Sequence, residues 1–236
     1  PAYKPYTTIK GIEDTTRVYV TRNPENGLVK VKGSPWIYGA YVMGVIPEEF
    51  GRIAWMRDDL TEEHWYNSLN KLTESANSML VFVSLRDKYD LKVGDTIYID
   101  LNAQSESLGD HLEGVICGFI DFWPGFNNKF LTQTIITSNE VIFEEPYLVV
   151  ANFDYLYANF RLEPYEIWMK KAEGATISEI YEDLKAKNLS PVKLTETTSQ
   201  IIEMKNDPAL QATNGTLTLG FIVALIVCTI GFIIIY

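Results

Sequence analysis

The chain has 236 residues and carries 31 acidic against 20 basic side chains, a formal net charge of −11. This length suits one large domain or two small lobes around a hydrophobic core, and it argues against a disordered chain or a miniature scaffold. Because the basic residues form no cluster denser than pairs such as Lys170-Lys171, nucleic acid is excluded as a partner and anionic lipid headgroups are poor partners. The cysteines, Cys117 and Cys228, lie in a predicted strand and in an apolar segment, so no disulfide framework is expected.

Three strands are predicted near the start of the chain. Residues 16–31 indicate two strands joined in a hairpin at Asn26-Gly27, since these residues tolerate the positive φ angles of a tight turn. Residues 36–46 predict the third strand.

Two helices are predicted next. Pro47 begins a short helix that ends near Met56, because proline and the carboxylates that follow it suit a first helical turn. Thr61 is predicted to cap the second helix. The apolar residues of that helix recur at three and four positions and predict one buried face: Trp65, Leu69, Leu72 and Ala76.

The middle of the chain differs in composition, with short runs rich in β-branched and aromatic residues. Strands are predicted for residues 79–84, 96–101, 112–122 and 147–152, and together they indicate a second, β-rich lobe. Residues 165–170, 176–187 and 191–194 then predict a βαβ unit. Its helix has the capping-box pair Thr176 and Glu179.

This pattern predicts an α+β fold, with one α/β lobe built from both ends of the domain and a β-rich lobe inserted in it. We assign residues 1–78 and 164–206 to the α/β lobe and residues 79–163 to the insert. Residues 207–236 are predicted to form a connecting and transmembrane helix, in which Asp207-Pro208 begins the helix.

The last twenty residues, 217–236, carry no charged side chain, and thirteen of them are Leu, Ile, Val or Phe. As a helix they would reach about 30 Å, the thickness of the hydrocarbon core of a bilayer, and they predict one membrane span rather than a buried core helix. Small residues at Gly220, Ala224 and Gly231 fall near one face, as in a bundle of several helices. Lys205 is flanked by two carboxylates, which favours an extracytoplasmic position for residues 1–216.

The ends of the sequence indicate a piece of a longer polypeptide. The chain begins Pro1-Ala2-Tyr3 without a signal peptide and stops at Tyr236 at the end of the apolar segment. We therefore expect a multi-pass membrane protein as the full-length parent.

The sequence predicts no catalytic, cofactor-binding or metal-binding residue. His64 and His111 stand alone without the spacing of metal ligands, and neither a Gly-x-Ser-x-Gly elbow nor a phosphate-binding Gly-x-x-x-x-Gly-Lys loop occurs. The carboxylate pairs Asp58-Asp59 and Glu144-Glu145 are sequence neighbours of the kind found on a solvated face. Any ATP hydrolysis would therefore belong to another chain or another part of this one.

Three stretches, taken in order, resemble the FtsX-like and MacB-like permease subunits of ABC transporters. Residues 42–60 resemble that family's strand, Pro-led helix and Asp pair. Residues 81–100 and 112–125 resemble a Leu-x-Val-Gly-Asp turn, here Leu91 to Asp95, with a strand pair that ends at an aromatic-Pro loop. Residues 206–232 resemble the lead-in to the membrane helix that follows the extracytoplasmic domain.

The resemblance implies a porter-like α/β lobe, a non-catalytic permease subunit in the cell membrane and a permease dimer. It also implies a cytoplasmic ABC-type ATPase partner, whose hydrolysis is transmitted to an extracellular peptide, lipid or protein. Two alternatives remain open: a ligand-sensing ectodomain of a receptor, with a deep pocket between strands, and a membrane-anchored hydrolase.

The loop Asp121 to Phe126 is loaded with aromatic residues. Such a loop either covers the end of a core or presents a partner-binding tip. The second interpretation is a hypothesis based on the expectation that the β-rich lobe lies farthest from the membrane.

Overall fold

The computed structural model describes residues 3–21, 28–101, 111–126, 132–136, 140–144, 147–160, 165–191 and 193–197. The chain divides into two units, Pro1–Leu189 and Ser190–Tyr236. All of the helices and strands named below belong to the first unit, and only a few residues of the second unit are described.

The strands are β1 (Ile12–Val20), β2 (Leu28–Val31), β3 (Ile37–Tyr38), β4 (Tyr41–Val45), β5 (Ser78–Phe82), β6 (Thr96–Asp100), β7 (Leu112–Ile120), β8 (Thr132–Ile136), β9 (Glu140–Glu144), β10 (Leu148–Asn152) and β11 (Glu166–Lys171). The helices are α1 (Pro47–Ile53), α2 (Tyr66–Thr73), α3 (Val83–Tyr89), α4 (Phe153–Phe160) and α5 (Ile177–Ala186). Short 3-10 helices span Lys4–Thr8 and Asp58–Leu60.

Nine of the strands form one mixed sheet, in the order β11-β1-β4-β10-β5-β7-β6-β2-β3, and β8 and β9 pair separately. The pairs β4/β10 and β5/β7 are parallel, and the other pairs in the large sheet are antiparallel. The predicted α+β fold class is confirmed.

The central strands are buried on both faces because helices cover each side of the sheet. Along β5, Met79 and Val81 enter one core cluster with residues of α3 and α4, while Leu80 and Phe82 enter the other with residues of α1 and α2. This alternation follows the two-residue period of a strand. Burial on both faces explains why β5 and β10 are continuous apolar runs.

Two predictions for the first strands are wrong. The predicted hairpin of residues 16–31 is not formed, because β1 pairs with β4 and β11 whereas β2 pairs with β3 and β6. The predicted strand 36–46 is divided into β3 and β4 at Gly39, whose φ of +83° does not fit an extended strand. The turn residues 22–27 lie outside the described part of the chain.

The helix predictions were right in position and partly wrong at the ends. Pro47 begins α1 as predicted, and both hydrogen bonds of the capping box between Thr176 and Glu179 are present in α5. Thr61 does not cap α2, because its hydroxyl donates to the backbone oxygen of Glu63 at 2.6 Å and the helix begins five residues later. Ala76 lies beyond the end of α2 and is exposed.

The last strand of the predicted βαβ unit is not found, since the described residues 191, 193 and 194 are irregular. Sequence patterns also missed α4 and the pair β8 and β9. Among the residues that the structure describes, no helix is both long and apolar enough to cross a membrane. The apolar segment 217–236 lies outside the described residues, as does the predicted helix start at Asp207-Pro208.

The boundaries assigned to the lobes stay a prediction. Strands from all three segments share the large sheet. The first segment supplies β1 and β4, among others, and the last segment supplies β11. The middle segment supplies β6, β7, β10 and all of β5 except its first residue.

Candidate functional site

The histidines have contacts that explain their positions. The Nδ1 atom of His64 accepts a hydrogen bond from the backbone N–H of Tyr66 at 3.2 Å, and its Nε2 atom lies 3.7 Å from Asp58. The ring of His111 lies edge-on to Tyr98, with a centroid distance of 5.3 Å. Within the described ranges, no group of three or more His, Cys, Asp or Glu residues is placed to hold a metal ion.

Cys117 in β7 is the free thiol of the described part of the chain. Its Sγ donates to the backbone oxygen of Met79 at 3.3 Å, and burial raises the pKa of the thiol to about 11. The side chain is therefore protonated at neutral pH, which is the unreactive state of a cysteine.

The aromatic loop 121–126 packs into the core. Trp123 is only 3% exposed. Its ring stacks on Phe50 with a centroid distance of 5.7 Å, and its indole N–H donates to the sulfur of Met43 at 3.1 Å. Phe126 lies edge-on to Phe82. These contacts match the interpretation of the loop as the cover of a core and not the hypothesis of a partner-binding tip.

A polar cleft of about 260 Å³ lies beside the first strand. It is lined by Tyr3, Thr7, Ile12, Glu13, Asp14, Thr15, Glu49 and Arg52. Arg52 donates to Asp14 at 2.8 Å, Glu49 accepts from Thr16 at 2.9 Å, and the Tyr3 hydroxyl donates to the backbone oxygen of Thr15 at 2.7 Å. The charged groups of the cleft therefore have partners within the chain, either in the cleft or next to it, which indicates a structural arrangement rather than a ligand site.

The start of the unit Pro1–Leu189 is hydrogen-bonded to the last helix of that unit. The backbone N–H of Lys10 donates to Oδ2 of Asp183 at 2.9 Å, and Nζ of Lys187 donates to the same oxygen at 2.6 Å. Nζ of Lys187 also donates to the backbone oxygen of Thr8. We call this set of contacts between residues 8–10 and α5 with its C-cap residue, Lys187, the terminal clamp.

Packing supports the terminal clamp. The backbone N–H of Ala172 donates to the oxygen of Gly11 at 2.9 Å, and β11 runs antiparallel to β1 along most of its length. A Cβ on Gly11 would lie 3.0 Å from that of Ala175, so the two segments are in close contact. The chain therefore enters and leaves this unit at one place.

None of the residues of the terminal clamp is predicted from the sequence as a functional residue. Asp183 and Lys187 are four residues apart on one helix, a spacing that indicates an ion pair. The backbone of Lys10 is 173 residues away from Asp183, and no local sequence pattern would reveal its contact. The hydrogen bond from Lys187, followed by that from Lys10, lowers the pKa of Asp183.

The described elements define a mixed α+β domain whose two ends meet. No family model matches the chain, and no curated protein matches it. Several solved structures do match the chain.

Three of these structures are domains of permeases or ABC-type transporters, or a periplasmic region. The periplasmic region of MacB from Actinobacillus actinomycetemcomitans is 9% identical, with 86% of this chain and 80% of that chain covered and a TM-score of 0.47. A domain of a putative permease protein from Porphyromonas gingivalis is 15% identical, with coverage of 81% and 77% and a TM-score of 0.43. The extracellular domain of the noncanonic ABC-type transporter YknZ from Gram-positive bacteria is 6% identical, with coverage of 79% and 82% and a TM-score of 0.43.

Proposed function

We propose that this chain is the extracytoplasmic domain, with the following membrane helix, of a permease subunit of an ABC transporter of the FtsX and MacB kind. The subunit itself is non-catalytic. A separate cytoplasmic ATPase hydrolyses ATP, and the permease, as a dimer, transmits the resulting motion to an extracellular peptide, lipid or protein.

The observation that carries this proposal is the terminal clamp. A domain inserted between two membrane helices has to leave the membrane and return to it, so its first and last segments lie side by side. Here residues 8–10 are hydrogen-bonded to α5, and β1 is paired with β11. These contacts support the proposed transmission of motion, since a displacement of residues 8–10 would act directly on α5.

Two features of the sequence support the same function. The three stretches that resemble the permease family occur in the family's order over residues 42–232. The uncharged segment 217–236 has the length and the apolar composition of a membrane span.

The alternative is a ligand-sensing ectodomain of a membrane receptor. This function would use a deep pocket between strands. The cleft beside β1 is lined mainly by polar side chains that are bound to one another, which favours the permease over the sensor.

A labelling experiment tests the extracytoplasmic position of the domain. Glu182 is exposed on α5, so a Glu182→Cys variant of the full-length parent presents a reactive thiol there. We expect a membrane-impermeant maleimide to label this variant in intact cells. The unchanged parent, which retains Cys117 and Cys228, is the control for background labelling. Labelling of the introduced thiol only after the cells are opened would contradict the proposed topology.

A further inference from the structure

Trp55 is the most exposed of the large hydrophobic side chains in the described part of the chain, with 77% of its surface accessible. It lies in the extended segment directly after α1. Its neighbour in sequence, Met56, is 7% exposed and belongs to the core cluster of α1 and α2. The indole is therefore held outward by a backbone that is anchored on the core, and not by a loose loop.

A second exposed aromatic ring lies beside the end of α1. Tyr66 is 46% exposed, and its hydroxyl donates to the backbone oxygen of Gly51 at 2.7 Å. This hydrogen bond joins the start of α2 to the last turn of α1, from which Trp55 follows. The ring of His64 lies edge-on to Tyr66 with a centroid distance of 4.6 Å.

The stretch of sequence that contains these rings is strongly acidic. Between residues 47 and 67 the chain has six carboxylates against two guanidinium groups. Both guanidinium groups are already bound within the chain: Arg52 to Asp14 and Glu48, and Arg57 to Asp59. Three other exposed carboxylates are close to Trp55 in sequence: Asp58, Glu62 and Glu63. Asp58 lies 3.7 Å from His64, and Glu63 accepts a hydrogen bond from the side chain of Asn67 at 3.4 Å, so neither is bound to an Arg or Lys there. We call the three carboxylates, with Trp55 and Tyr66, the aromatic-acidic patch.

We propose that the aromatic-acidic patch is a docking surface for a cationic polypeptide segment. An Arg or Lys side chain of the partner lies over the Trp55 ring, where the negative face of the indole attracts a cation. Neighbouring basic side chains of the partner bind the carboxylates of Glu62 and Glu63.

An exposed tryptophan also suggests two other occupants, a second copy of the chain and a lipid surface. The charge of the patch favours the cationic segment over both. A second copy of the chain would bring the same acidic surface and a net charge of −11 to the contact, and like charges oppose such pairing. An anionic lipid surface is opposed for the same reason. The inference goes beyond the proposed function, since it rests on this surface alone and holds whether or not an ATPase is associated.

The test measures binding of a fluorescent hexa-arginine peptide to the full chain in zwitterionic detergent, by fluorescence anisotropy. We expect binding that is weakened at least about fivefold by Trp55→Ala and by the double variant E62Q/E63Q. Binding should also weaken when NaCl is raised from about 50 to about 300 mM. The control variants are Tyr181→Ala, which removes another exposed aromatic ring, and E173Q/E182Q, which removes two exposed carboxylates elsewhere. Both controls should bind within about twofold of the unchanged chain.

The same proteins are then tested with vesicles of phosphatidylglycerol and by sedimentation without peptide. Equal binding of the peptide by all variants, or no binding at all, would overturn the proposal. Vesicle binding or self-association that is lost in Trp55→Ala would also overturn it, in favour of a lipid surface or a second copy. Trp55→Ala changes an exposed side chain, and E62Q/E63Q leaves the Trp55 ring in place. If one of these variants does not fold, the other still tests the proposal.

Discussion

Gly125 occupies a position in the aromatic loop that only glycine fits. Its φ is +80°, and a Cβ there would lie 2.3 Å from the ring of Trp168. Trp168 in turn packs on Phe50, with a centroid distance of 5.4 Å. The close approach of this backbone to β11 is therefore part of how the loop closes the core.

Gly125→Ala should lower the free energy of unfolding by about 2 to 4 kcal/mol, the sum of overpacking and a strained φ. Gly174→Ala is the matched control, because Gly174 has a φ of +76° and open space around its Cα. This control should cost only about 1 kcal/mol. Urea unfolding of both variants measures the difference, and equal losses would show that the contact with Trp168 is not as close as described.

Cys117 should be unreactive in the folded protein. Its pKa is raised to about 11 by burial, so little thiolate is present at pH 8. In a Cys228→Ser variant, we expect the thiol to react with a disulfide reagent about a hundredfold more slowly than after unfolding in urea. Rapid reaction of the folded protein would contradict the burial of β7 at this position.

At the scale of elements, α5 is held to the start of the domain by Asp183. Hydrogen bonds from Lys187 and Lys10 lower the pKa of this carboxyl. Because the pKa of Asp183 is lower in the folded state than in the unfolded state, its carboxylate stabilises the fold at pH values above the unfolded pKa, which is near 3.8. This stabilisation is lost as the pH falls through the pKa of the folded state.

Asp183→Asn should therefore lower the thermal unfolding temperature at pH 7 and reduce its dependence on pH below about 5. The unchanged chain should lose more of its stability than the variant on acidification. Glu182→Gln, which alters the adjacent exposed carboxylate, serves as the control and should behave like the unchanged chain. Parallel curves for Asp183→Asn and the unchanged chain would show that the terminal clamp does not contribute to stability.

The elements that could be predicted are those with local signals. Pro47 at the start of α1 and the capping box of α5 are short sequence patterns with a direct physical effect, and both are present. Pairing between strands is not local. Asn26-Gly27 predicts a hairpin turn, but β1 pairs with β4 and β11, and β2 pairs with β6 and β3.

The candidate site was less predictable than the fold. Every residue except proline has a backbone N–H, so no sequence pattern singles out that of Lys10. Its partner Asp183 is brought next to it only when β11 pairs with β1. Trp55 shows the opposite difficulty. A large apolar side chain favours burial, whereas the structure places this one in solvent.

At the scale of the whole molecule, the unit Pro1–Leu189 joins its two ends through the terminal clamp and exposes the aromatic rings of the aromatic-acidic patch. A permease that transmits motion needs both features: ends that move together, and a surface that meets a partner outside the membrane. The proposed function is tested most directly by the partner that it requires inside the cell.

The decisive measurement is affinity purification of the full-length parent from native membranes in mild detergent, followed by an assay of ATP hydrolysis. The permease function predicts that an ABC-type ATPase co-purifies and that the complex hydrolyses ATP. A pure parent protein without a nucleotide-binding partner or ATP hydrolysis would contradict it and favour the sensor.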